Sequence, residues 1–299
     1  MGRISVGEAL GAGFALIRRE PVAFLVWCAI YFLISALPRA VVWPQMMEVY
    51  RSIGSNPQAA LPAQSRLGAY QPVSLILGLA LFAVMPAAIF RAVLFPEDRR
   101  FFYLRLGMRE FWTFIVTLVV VVMWMIGIIA LMVPVGIFTV GVAAAASGAG
   151  GAAVAVLVVL VGYFAAIGLS TWFVLRFSLA PVMSFAENTF RVPESWRLTK
   201  GHAWRMFLVG LGLFAMVVIL EVALLAGAFA FLTVGGSGPV SVFRNPNQMF
   251  VLISQVTLPQ MLAGSVVLAV LAVWGYVMGG AAWASIYRQL KPPIAETFA

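Results

Sequence analysis

Glu221 is the one acid inside a long apolar run, VVILEVALLAG. Placing a charged side chain at the centre of a bilayer costs about 2.5–3.5 kcal/mol on insertion scales. The carboxyl must therefore be protonated, reach water or find a partner. A group so placed can couple a proton or hold a cation. The plainer reading is a protonated Glu bonded to a neighbouring helix, or one lying nearer the interface. Three arginines offer a different chemistry. Arg91, Arg176 and Arg288 each close an apolar run, in AAIFR, WFVLR and WASIYR. A guanidinium fork matches a phosphate bidentately, so the three together would hold a phosphate headgroup. The competing reading is that each snorkels to the interface as a topology anchor. A third cluster, Trp196, Arg197, Lys200, His202, Trp204 and Arg205, joins cations to aromatic rings. The rings suit the headgroup layer and the cations suit anionic lipid. This cluster reads as a lipid-recognition elbow or as a general interfacial anchor.

Other chemistries lack their residues. One His, His202, and one Cys, Cys28, fall short of the three or four Cys/His ligands of an ordinary zinc site. A single Cys excludes an internal disulfide framework. No GxSxG, Walker loop, HExxH or paired His/Asp cluster occurs. No catalytic, cofactor-binding or metal-binding residue is assigned, and the chain reads as non-enzymatic.

The elements that position these residues must lie in lipid. The 299 residues are 63% hydrophobic and only 10% charged, with mean hydropathy +1.04. Soluble domains are about 45–50% apolar and about 25% charged. The net charge of +9 does not point to nucleic acid, because the basic residues are scattered between apolar runs. It points to topology and to anionic headgroups.

Six spans follow. Residues 4–19 precede them as an amphipathic interfacial helix with an apolar face of Val6, Leu10, Phe14 and Ile17. Ser5 and Glu8 fit a reciprocal capping box there. The spans are expected near 21–43, 73–95, 111–146, 152–176, 206–234 and 261–287. Between the first two, residues 44–71 read as a polar loop, with a short surface helix over Met46–Ile53. Pro134 and Gly136 are expected to kink or end the third span. Ser147–Gly151 reads as a tight turn. In the elbow Pro96–Glu110, Phe101, Leu104 and Met108 form an apolar stripe. A short helix is expected within 249–256, and the tail 289–299 reads as loose. Fifteen of the nineteen basic residues fall on one side of this arrangement, and four, Arg39, Arg51, Arg66 and Arg244, on the other. By the positive-inside rule both termini are cytoplasmic. Gly275 and Gly279 make a GxxxG in the sixth span, the signature of a close-packing face. Pro86 and Pro181 mark further kink positions.

The fold class is thus all-α integral membrane. Six transmembrane helices form three helical hairpins with cytoplasmic amphipathic segments. The shared grammar of basic elbow, apolar run and closing Arg predicts a pseudo-three-fold repeat of units near 4–95, 96–180 and 181–290, within a single membrane domain 1–299. Glu20, Glu110 and His202 take corresponding turns in it. The alternative is that all membrane hairpins share such flanks.

Arg176-Phe-Ser-Leu-Ala-Pro181, Ser195-Trp-Arg-Leu-Thr-Lys-Gly201 and Trp204-Arg205 resemble a pattern in bacterial multi-span proteins. These include the membrane domain attached to some glycerophosphodiester phosphodiesterases. The resemblance is clearest over Thr171–Leu213. It implies a bacterial inner-membrane location. No soluble phosphodiesterase domain accompanies it here, so it transfers no catalytic residue. The expected function is to bind anionic lipid or another amphiphile between the hairpins, or to scaffold a membrane-protein partner at the basic cytoplasmic face. The alternative is a small proton-coupled transporter using Glu221.

Overall fold

The computed structural model describes residues 4–55, 68, 70–145, 149–234 and 254–291. The expectations for Arg3, Arg66, Arg244, Ser147, Gly148, most of the short helix in 249–256 and the end of the tail lie outside these residues. The described chain is all α, with no strand among the described residues. Among the described residues six helices are long and apolar enough to cross a membrane.

The helices are α1 (Val6–Arg19), α2 (Pro21–Ser55), α3 (Gln71–Leu94), α4 (Met108–Ala145), α5 (Ala149–Phe177), α6 (Ala180–Glu187), α7 (Val192–Thr199), α8 (Ala203–Val234) and α9 (Leu258–Leu290). A 3-10 turn, Arg100–Tyr103, lies between α3 and α4. Several boundaries correct the sequence reading. Pro38 and Pro44 sit inside α2, which continues to Ser55 where a loop was expected from residue 44. Pro134 does not end α4. A long apolar helix tolerates an interior Pro when neighbouring groups satisfy the freed carbonyl. Ala149–Gly151 are helical rather than part of a turn. The polar segment after α5 is built from two eight-residue helices, α6 and α7, each with Pro in its first turn, where the missing N–H costs nothing. Asn188 ends α6 in the left-handed conformation (φ 53°), a standard helix stop. Gly201 (φ 88°) makes the turn into α8, a conformation open to Gly at little cost.

The chain divides into two compact units. The first comprises Met1–Ala9, Leu106–Leu208 and Trp283–Ala299; the second comprises Leu10–Arg105 and Val209–Ala282.

In the second unit, α2 packs on α3. Leu16, Trp27, Met85, Ile89, Tyr103, Val273 and Val277 form its core. Close approach is made by glycines: a Cβ on Gly13 would lie 2.6 Å from Met278 Sδ and 2.9 Å from Met278 Cα. Of the apolar face expected for α1, Ile17 packs against this core. Gly13 and Leu16 are buried, while Phe14 is 43% exposed and sets its ring edge on Trp274. The GxxxG pair of α9 makes no close approach among the described residues. A Cβ on Gly275 or Gly279 would meet nothing within 4 Å. The α9 glycine under pressure is Gly280, whose Cβ would lie 2.9 Å from Ile89 Cγ2.

The elbow after α3 is not a helical stripe. Phe101, Phe102 and Tyr103 are all left-handed, with φ of 50°, 55° and 67°. Non-Gly residues in that region are strained and persist only where their surroundings fix them. Trp27 Nε1 donates to Phe102 O at 2.9 Å and Arg91 Nη1 donates to Tyr103 O at 2.9 Å. Tyr103 is buried and donates its hydroxyl to Pro96 O. Phe101, Leu106 and Met108 are left exposed.

Candidate amphiphile groove

In the first unit α4 packs along α5, and α6 and α7 pack on each other. Ser195 Oγ donates to the main-chain carbonyl of Arg176 at 2.9 Å, and Thr199 Oγ1 reaches the same oxygen at 3.5 Å. The last carbonyls of a helix lack partners within it, so α7 covers an orphan at the end of α5. This fixes Trp196, one residue on from Ser195. Its ring meets Trp172 edge-on at 4.9 Å and Phe177 at 5.6 Å. The Arg176 guanidinium lies 5.4 Å from the Trp196 ring centroid, within cation–π range.

Two hollows open on this scaffold. The larger, about 530 Å3, is an open groove lined by Val119 and Met123 of α4, Phe177 of α5, and Phe190, Val192, Pro193, Trp196 and Arg197. The smaller, about 180 Å3, follows on the next turns of the same two helices, between Trp124, Gly127 and Ile128 of α4 and Leu169, Trp172 and Phe173 of α5. The larger volume falls in the range of about 300–1,000 Å3 typical of small-molecule sites. Both walls are almost wholly apolar, with Arg197 the single charge. The arrangement has a cationic rim at one end and hydrocarbon beyond, the distribution of a bound amphiphile.

The predicted site residues fall in different environments. Arg197 and Lys200 are exposed and make no side-chain bond among the described residues. Trp204 is 68% exposed and stacks on Phe207. Arg176 is half-buried, and its Nη1 is shut from solvent without a hydrogen-bond partner among the described residues. Arg205 is already engaged, donating to Ile4 O at 2.9 Å. Arg288 is half-exposed and lies 3.7 Å from the Glu8 carboxylate. That contact displaces the expected capping box: Ser5 Oγ still faces Glu8 N at 3.4 Å, but Ser5 N–H donates to Gln289 Oε1.

Arg91 departs furthest from a headgroup ligand. It is buried and bound to Tyr103 O, with Asp98 at 3.5 Å. Asp98 also takes Arg105 at 3.0 Å, and Glu20 pairs with Arg99 at 2.8 Å. Arg19 donates to Ala92 O. These cations hold the strained turn together. Glu110 is buried in the first turn of α4, and His202 is half-buried just before α8.

Sequence reasoning missed the carboxylate hub on α6. Glu187 accepts from Lys291 Nζ at 2.6 Å and from Tyr287 OH at 3.2 Å, and pairs with Arg191 Nε at 2.9 Å. Arg191 Nη1 donates to Glu194 at 2.9 Å. That bond, with the positive charge beside it, holds the Glu194 carboxyl below its ordinary 4.5. It also missed the apolar walls, because Val119, Met123 and Phe190 carry no motif. Among the described residues no three His, Cys, Asp or Glu side chains gather to hold a metal ion.

Comparison with protein-family models, with characterised proteins and with solved structures finds no match.

Proposed function

We propose that this multi-span protein is a non-enzymatic, amphiphile-binding protein of the bacterial inner membrane. The ligand class is an anionic lipid. Its acyl chain lies in the groove between α4, α5 and α7, and its phosphate meets Arg197 and Lys200, with Arg176 over the Trp196 ring. The observation that carries this reading is the pair of consecutive apolar hollows with one guanidinium at the rim. The membrane location follows from the resemblance in Thr171–Leu213, and cytoplasmic termini follow from the positive-inside bias. The groove would then open in the cytoplasmic leaflet, where anionic headgroups concentrate. Glu221 lines neither hollow, so the transporter reading gains no support from it.

Native mass spectrometry from nanodiscs of equal phosphatidylglycerol and phosphatidylethanolamine tests the proposal. The wild type retains phosphatidylglycerol selectively. A charge-assisted bond contributes about 1.5–3 kcal/mol, so Arg197→Gln lowers retention about ten- to a hundredfold. Equal retention of the two lipids, or selectivity unchanged in the variant, refutes it.

A further inference from the structure

Two opposite charges lie inside the spans rather than near their ends. Arg39 is eighteen residues beyond the first residue of α2, Pro21, and Glu221 is eighteen beyond the first residue of α8, Ala203. At 1.5 Å per residue each lies about 27 Å along its helix. α2 and α8 carry the first and fifth of the six spans, and alternate crossings run in the same direction. The two residues therefore reach a similar depth, in the half of the bilayer away from the basic clusters. The remaining charges of the spanning helices lie within about two turns of a helix end. Glu221 lies just past the midpoint of α8.

Both side chains are exposed, and neither makes a hydrogen bond or an ion pair among the described residues. On the side of the membrane away from the basic clusters, the sequence supplies only two acids, Glu48 and Glu221. Glu48 is engaged. Glu221 is the one remaining acid for Arg39, and the two do not pair within the chain.

We propose that the protein self-associates, with Arg39 of one copy pairing with Glu221 of a second. A two-fold interface is self-complementary, so a single Arg and a single Glu per chain give two reciprocal pairs. The similar depth allows both pairs to form with little tilt of one copy against the other. An Arg–carboxylate pair is the strong, geometrically specific form of such a contact.

The test uses full-length chains carrying donor or acceptor dyes, reconstituted into liposomes and read by energy transfer. Wild type is expected to associate. Glu221→Gln and Arg39→Gln are each expected to weaken association about tenfold. The decisive arm is charge reversal. Alone, Glu221→Arg places two cations on each copy and Arg39→Glu two acids, so neither associates. Mixed, the two variants restore both pairs and energy transfer returns. That gain of signal cannot come from misfolding. A wild type monomeric at every lipid ratio, association indifferent to the neutral variants, or no recovery on mixing overturns the proposal.

Discussion

The Ser195 hydroxyl donates to the Arg176 carbonyl across nineteen residues of chain. Through this bond the last turn of α5 and the middle of α7 are held as one corner. Trp196 follows Ser195 directly, so the bond also sets the ring that carries the Arg176 guanidinium and closes the groove. Both Ser195 and Thr199 are buried, which makes the two hydroxyls the polar lining of an otherwise apolar joint.

Ser195→Ala therefore removes a buried bond and leaves the carbonyl with only the longer Thr199 contact. We expect a loss of about 1–2 kcal/mol, seen as a lower unfolding midpoint in detergent. Phosphatidylglycerol retention falls with it, because Trp196 loses its anchor. Arg197→Gln is the opposite case. Its side chain is exposed, so lipid retention falls while the unfolding midpoint stays within about 0.5 kcal/mol of wild type.

The strained turn at Phe101–Tyr103 makes a second prediction. Trp27→Phe keeps most of the buried ring but deletes the N–H that binds Phe102 O. Losing this part-buried bond costs about 0.5–1.5 kcal/mol. Limited proteolysis at the exposed Phe101 and Leu106 should accelerate in Trp27→Phe. Arg91→Gln should behave in the same way and leave lipid selectivity unchanged, since Arg91 is committed to Tyr103 and Asp98.

Much of this architecture was legible in the sequence because lipid imposes a simple rule. Every span must be a long apolar helix, so the starts of α3 and α8 followed closely from hydropathy. The end that was misplaced, Ser55, lies where Pro and polar residues continue a helix past the hydrocarbon. The three closing arginines look alike in sequence and have three environments in the fold. Arg91 is buried on a strained turn, Arg176 rests over Trp196, and Arg288 faces Glu8 near solvent. What separates them is tertiary: the left-handed turn after α3 and the α6–α7 corner after α5. No periodicity encodes either. The groove walls were illegible for the same reason, since Val119, Met123 and Phe190 differ in no way from lipid-facing neighbours.

Glu194 gives a pH prediction. Its carboxyl is held below the ordinary 4.5 by the bond from Arg191. The folded state therefore binds this proton less readily than the unfolded chain. The stabilisation is complete above about pH 4.5 and is lost as pH falls through the folded value. Glu194→Gln removes this part of the acid sensitivity. The gap between wild-type and variant unfolding midpoints, measured from pH 7 down to pH 3, should narrow as the acid limb is entered. A gap that stays constant or widens would show that the Arg191 pair does not stabilise the fold.

Gly13 and Gly275 separate real close packing from its sequence signature. Gly275 belongs to the GxxxG of α9, yet a methyl group there meets open space. Gly275→Ala should be neutral, or stabilising by up to about 1 kcal/mol through helix propensity. Gly13 belongs to no such motif, yet its added Cβ would lie 2.9 Å from the Met278 Cα. That neighbour is backbone and cannot rotate away, so α1 must shift off α9 within the second unit. Overpacking of this kind costs about 1–3 kcal/mol. We expect Gly13→Ala to lower the unfolding midpoint well below that of Gly275→Ala. The reverse order would place the close helix contact of this unit at the GxxxG after all.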